Sequence, residues 1–176
     1  MMKPITIEHT QQQMLLALEV NRNAAITCVR LSRSKMAGQP LEEVPKGSID
    51  VEFAIKSRRV DAPKGRLRVE VDFRMVLRVE QEATRPKPGR KAKPIANVEC
   101  TFAVDYQLRE GFEPSAEHVR TFKDGNVIFN CWPYFREYLQ ESIQRMGYPP
   151  LTAPFLRVQP KPSKSGKKAE QKKAAE

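Results

Sequence analysis

The chain has little that covalent cross-linking or catalysis would use. Of its 176 residues, three are cysteine, two histidine and one tryptophan. Cys28, Cys100 and Cys131 are odd in number and show no CxxC spacing, which argues against a disulfide framework and a zinc site. Cys100 and Cys131 fall within apolar patterns and behave there as small hydrophobes. His9 and His118 stand beside no cysteine or serine motif. HExxH, GxSxG and GxGxxG are absent, and Gly166-Lys167 lacks the preceding glycine and strand of a phosphate loop. Glu42 and Glu43 are adjacent and loop-borne, a poor arrangement for general acid–base work. No apolar run approaches membrane-spanning length, and MMKPITIEHTQQQ has no signal-peptide core. The expectation is a cytoplasmic protein without membrane insertion, metal, cofactor or enzymatic activity.

Charge is plentiful but unevenly placed. The formal net charge is +10. The loop Thr84–Pro94 (TRPKPGRKAKP) and the tail Arg157–Glu176 each carry an excess of +5, so the remainder has equal numbers of basic and acidic residues. The Pro, Lys, Ser and Gly content of both segments predicts disorder. Such segments serve as solubilising ends or as electrostatic bait for acidic partners and nucleic acid.

Strand patterns fill the middle of the chain. From Leu67 to Val79 every odd position is apolar, and the even positions are Arg68, Glu70, Asp72, Arg74, Val76 and Arg78. That period of two leaves no room for a helix. Ala96–Leu108 alternates likewise, with Val98, Cys100, Phe102, Val104, Tyr106 and Leu108 on one side. The two strands, joined by the basic loop, form an antiparallel hairpin in the simplest arrangement. Ile49–Ile55 is a third, half-buried strand. Ala24–Ser34 is a fourth, whose broken alternation is reconciled by a bulge between Cys28 and Val29 or by burial of both faces. Residues 35–48 read as a long connection that carries Met36, Leu41 and Val44. Before the strands, Met14, Leu15 and Leu18 fit one face of a short helix.

The last pattern is helical. After Ser115, a suitable cap for a short helix, Lys123-Asp124-Gly125-Asn126 predicts a break. Pro133 suits the first turn of a longer helix, and Gly147 followed by Pro149-Pro150 suits its end. Trp132, Phe135, Leu139, Ile143 and Met146 recur every three or four residues on one face. Beyond the prolines, Leu151, Phe155 and Leu156 lie on extended chain. The fold class is α+β, a four-stranded antiparallel sheet packed by a long C-terminal helix, over 24–158. An N-terminal segment occupies 1–23 and a disordered basic tail 159–176. One helix of this length cannot hide the apolar face of four long strands, so another subunit is the economical cover.

The stretch FNCWPYFREYLQESIQRMGYPPLTAPFLRV (Phe129–Val158) resembles the SecB family of protein-export chaperones, and more closely its divergent SecB-like branch, some members of which are associated with toxin–antitoxin systems. The resemblance rests on WPYFREY, the helix, RMGYPPL and the apolar exit through Pro154. It implies a sheet with a long helix behind it, a homotetramer built as a dimer of dimers, and Phe135, Leu139, Ile143 and Met146 at the oligomer interface. It also implies that the connection after the first strand and the segment after the long helix flank a client groove. Typical SecB continues into a second helix after this segment, which is missing here. It also docks the SecA motor through sheet carboxylates, where this chain mixes signs, so SecA is a doubtful partner.

Surplus apolar surface without chemistry fits an ATP-independent holdase for unfolded or extended client polypeptides, in export or for a specific client such as an antitoxin. Candidate client-binding residues are Met36, Leu41, Val44, Trp132, Tyr148, Leu151, Phe155 and Leu156. The alternative is a nucleic-acid-binding β-domain that uses the basic loop 85–93 and the Lys-rich tail. It is disfavoured because Phe73, Phe102 and Tyr106 share the apolar phase of their strands, leaving no aromatic among the outward basic residues.

Overall fold

The computed structural model describes residues 3–80 and 93–161. The basic loop up to residue 92 and the tail beyond residue 161 lie outside the described residues, and with them most of the predicted disorder; Pro94, Gln159 and Pro160, at the edges of those segments, are strand residues instead. The elements are β1 (Ile5–His9), α1 (Gln11–Asn23), β2 (Ala24–Gly38), β3 (Ser48–Val60), β4 (Arg66–Glu80), β5 (Pro94–Leu108), α2 (Ala116–Phe122), α3 (Ile128–Arg145) and β6 (Leu156–Pro160). The four long strands form one antiparallel sheet in the order β2-β5-β4-β3, while β1 and β6 pair in parallel beside it.

Period-two patterning sets the faces. All seven odd positions from Leu67 to Val79 are buried, and so are Val98, Cys100, Phe102, Val104, Tyr106 and Leu108. In β2 two irregularities, between Ile26 and Cys28 and between Leu31 and Arg33, replace the single bulge expected after Cys28. They put Ile26, Val29, Leu31 and Met36 opposite Tyr106, Val104, Phe102 and Val98, all on the inner face. Met36 therefore belongs to the strand rather than to the connection.

The helices follow their caps. Thr10 and Gln13 form a reciprocal capping box at the start of α1, with Gln13 Oε1 accepting from the Thr10 N–H at 2.8 Å. Ser115 caps α2 by accepting from the His118 N–H. The expected break at Lys123–Asn126 is instead a π-turn, Lys123–Val127, that carries α2 directly into α3. The long helix thus starts earlier than expected, and Pro133 lies inside it on the exposed side. Its missing N–H leaves the Phe129 carbonyl without a helical donor at a place water reaches. Gly147 ends the helix at φ +82°, with Tyr148 N–H bonded to the Ile143 carbonyl and Gly147 N–H to that of Gln144. This is the double bond of a Schellman stop.

The chain's own elements seal more of the inner face than one helix could. Val119 and Phe122 of α2, Val127 of the π-turn, Val20 of α1 and Leu156 of β6 join α3 over β4 and β5. The segment before residue 24 is thereby built into the same core. The cover stops short of the edges, where Ile26, Leu31 and Met36 of β2 and Ile49 of β3 stay exposed. The surplus apolar surface expected of one helix on four strands lies at the rims of the sheet.

The outer face is held by ion pairs. Asp105, 8% exposed, lies between Arg68 and Arg30, the latter at 2.7 Å. The Arg68 hydrogen bond, helped by Arg30, holds its carboxyl below the usual range against the opposite push of burial. A lowered folded pKa contributes stability above the unfolded value, about 4, that disappears as pH falls through the folded one. Asp105→Asn should lower the midpoint of thermal unfolding by a few degrees at neutral pH, and its deficit relative to wild type should begin to shrink as pH drops below about 4 and be gone only once pH has passed the lowered folded pKa. In the π-turn, a Cβ on Gly125 would meet His9 Nε2 at 2.5 Å. Gly125→Ala should therefore cost about 1–3 kcal/mol in chemical denaturation. In a His9→Ala background the same change should be neutral or favourable, since alanine suits a helix better by about 0.5–1 kcal/mol.

Candidate functional site

Three of the eight predicted client-binding residues are core, not groove. Trp132 is 5% exposed, donates Nε1–H to the Pro154 carbonyl at 3.1 Å, and packs with Phe53, Phe73 and Phe135. The buried Tyr148 hydroxyl lies 2.8 Å from the Gln39 carbonyl and 3.0 Å from that of Ile95, sharing one proton between them. Burial pushes that phenol upward, opposed by the Gln39 bond. Leu156 is buried in β6. These residues build the wall beneath the surface: Tyr148 fixes the start of the connection after β2, and Trp132 fixes the chain leaving α3.

The others lie closer to water. Met36, Leu41 and Phe155 are exposed, and Val44 and Leu151 are half-buried against the core. Phe155, 64% exposed, carries the Arg136 guanidinium 5.3 Å above its ring. Gly38 closes the space between β2 and the helix end, because a Cβ there would stand 3.1 Å from both Met146 Sδ and the Tyr148 ring.

The helix residues implied as an oligomer interface are corrected in the same way. Phe135, Leu139 and Ile143 are fully buried against the chain's own sheet, with Phe135 stacked on Phe73 at 4.5 Å. A face already filled by the sheet has nothing to offer a neighbour. Of the four, only Met146 remains partly exposed.

A wide, mainly apolar groove was missed from the sequence. It measures about 1250 Å³ and runs between α1, the start of α3 and β6, lined by Met14, Leu15, Leu18, Phe129 and Val158. Leu15 is 62% and Phe129 53% exposed. The three α1 residues do share a face, but Ala17 and Val20 turn inward and the larger side chains outward. The capping signature Thr10-x-x-Gln13 could have located this helix; nothing in the sequence told its two apolar faces apart.

The reactive groups in and around these surfaces are quiet. Burial pushes the thiols of Cys100 and Cys131 up to about 12. The His118 ring is held between Ser115 Oγ at 2.7 Å and Glu19 at 3.0 Å, where it ties α2 to α1. Among the described residues no group of three or more His, Cys, Asp or Glu is placed to hold a metal ion, and no helix is long and apolar enough to cross a membrane. The arrangement supplies apolar contact area framed by fixed polar anchors.

No family model matches the chain. Two curated relatives do, the SecB-like chaperone Rv1957 of Mycobacterium tuberculosis strain H37Rv and the SecB-like chaperone MT2006 of strain CDC 1551. Each is 29% identical over 143 residues, covering 76% of this chain and 77% of the relative. Among solved structures, the fold matches Mycobacterium tuberculosis Rv1957 SecB-like chaperone in complex with a ChAD peptide from Rv1956 HigA1 antitoxin. The TM-score is 0.67 at 19% identity, over 81% of this chain and 96% of that one. Sequence is thus shared over three quarters of both curated relatives and the fold over nearly all of the solved one, so this chain is similar in sequence to these SecB-like chaperones and has the fold of the solved one.

Proposed function

We propose that the chain is an ATP-independent holdase that keeps extended or unfolded polypeptides from folding or aggregating, with an antitoxin as the kind of specific client it serves. The observation that carries this is the apolar surface the fold leaves open. Large side chains line the α1–α3–β6 groove, and Met36, Leu41 and Phe155 stand in solvent. Separate apolar sites on one body suit a long chain that binds at several points, because each linked contact multiplies affinity without new chemistry. Methionines at 14 and 36 adapt to varied side chains. The solved relative holds an antitoxin peptide, which supports the same class of client here.

A homotetramer, as a dimer of dimers, is the assembly this reading favours, with the exposed inner edge of β2 as the apolar area available to a neighbour. Service in export through SecA is the weaker branch. The sheet carboxylates Glu52, Glu70, Asp72, Glu99 and Asp105 are each engaged by an arginine of the same face. The nucleic-acid alternative rests on the loop and tail outside the described residues, and the outward sheet positions offer no aromatic for a base.

The test is light scattering of a thermally aggregating client without nucleotide. Suppression at near-stoichiometric ratio is expected, and undiminished aggregation would sink the proposal. Leu15→Lys with Phe129→Lys, and separately Met36→Lys with Leu41→Lys, should each cut suppression several-fold with little change in melting temperature, since all four side chains are exposed.

A further inference from the structure

The outer face of the sheet holds cations that its own carboxylates leave unused. Two neighbouring rungs cross all four strands there. One runs Arg33, Thr101, Asp72, Lys56 and the other Lys35, Glu99, Arg74, Ala54, from β2 through β5 and β4 to β3. Between them lies an open trough of about 830 Å³, floored by the small side chains of Thr101 and Ala54. Asp72 is taken by Arg58 at 2.5 Å and by the Thr101 hydroxyl at 2.6 Å, and Glu99 by Arg74 at 3.2 Å. Lys35 and Lys56 are exposed and have no ion-pair partner among the described residues. Arg33 reaches Glu70 and Asp72 only at 3.6 and 3.9 Å.

We propose that this trough is a docking surface for an acidic, extended polypeptide segment, separate from the apolar client surfaces. Four strands at their usual spacing set the edge cations about 14 Å apart, a distance that roughly four extended residues cross. A carboxylate at each end of such a segment meets Lys56 on one side and Arg33 or Lys35 on the other. Its backbone N–H groups meet Asp72 and Glu99 between. That alternation is why the occupant is a peptide. The uniform negative charge of a phosphate backbone would be repelled by both carboxylates in the trough, and no outward position of these strands carries an aromatic on which a base could stack. Surface charges of this kind set encounter rate and orientation, and their effect fades with salt.

The experiment is fluorescence anisotropy on the full chain. The probes are a labelled Glu/Ser peptide, its Gln/Ser analogue, and a single-stranded oligonucleotide of matched charge. The acidic peptide should bind about tenfold or more tightly than the neutral one at low salt and lose that advantage near 0.5 M salt. The double variant Lys35→Ala, Lys56→Ala should weaken the acidic peptide about tenfold, while its suppression of client aggregation stays at the wild-type level. An acidic peptide whose affinity the double variant leaves unchanged, held by the Lys-rich C-terminal segment alone, would overturn the proposal. So would an oligonucleotide that binds more tightly than the peptide and whose affinity the same variant reduces.

Discussion

The stacking of Phe135 on Phe73 at 4.5 Å is the contact around which the molecule is arranged. Phe73 is the middle of the seven apolar residues on β4, and Phe135 the middle of the inward face of α3. Trp132 and Phe53 lean on the same pair, so one aromatic cluster joins the helix to the two strands β3 and β4. Each such ring is worth about 1.5–3 kcal/mol for its buried area, with a further 0.5–1.5 kcal/mol for ring geometry. Once α3 is anchored there, its reach is fixed. Strands β4 and β5 are sealed, and the inner residues of β2, on the far edge, are left partly in water. The open apolar rim follows from where the anchor sits on a sheet wider than one helix.

The second anchor acts at the far end of α3. Gly147 turns the chain, Tyr148 drops into the core, and its hydroxyl draws in the carbonyls of Gln39 and Ile95. The connection after β2 is thus held at its root, while Leu41 further along faces solvent. Anchored roots with free middles let a surface accept varied partners without losing its own fold, because the core stays intact whichever way the exposed side chains repack.

What was legible in the sequence was the sharing of faces. Alternation along 67–79 and 96–108 gave two strands, their pairing and their inward residues, and Gly147 gave the helix end. Periodicity does not say what lies opposite a face. Trp132, Tyr148 and Leu156 read as groove because they are large and flank prolines, yet each has a partner from a distant segment that buries it: Pro154, Gln39 with Ile95, and the parallel strand β1. Met14, Leu15 and Leu18 share a face that turned out to point outward, since Ala17 and Val20 offer α2 a closer approach. The π-turn at Lys123–Val127 was invisible for a related reason. Lys-Asp-Gly-Asn is break chemistry taken alone, and Gly125 sits in a helix because the His9 ring from β1 leaves room for nothing larger.

The sheet consequently offers two unlike faces, and their separation is physical rather than incidental. The inner rim attracts through area, which salt does not weaken, and the outer face through charge, which salt screens within about 8 Å at physiological strength. On the outer face Thr101, Ala103 and Asp105 are buried among the strands' own side chains. Arg30, Arg68 and Arg58 end on carboxylates of this face, and arginine stems of that length can shield small strand residues while the charged ends stay paired. A sheet with an apolar rim on one side therefore keeps its other side from becoming a second apolar surface. It does so with side chains whose length, not only whose charge, is required, which is why lysine in their place would cover less and pair less well.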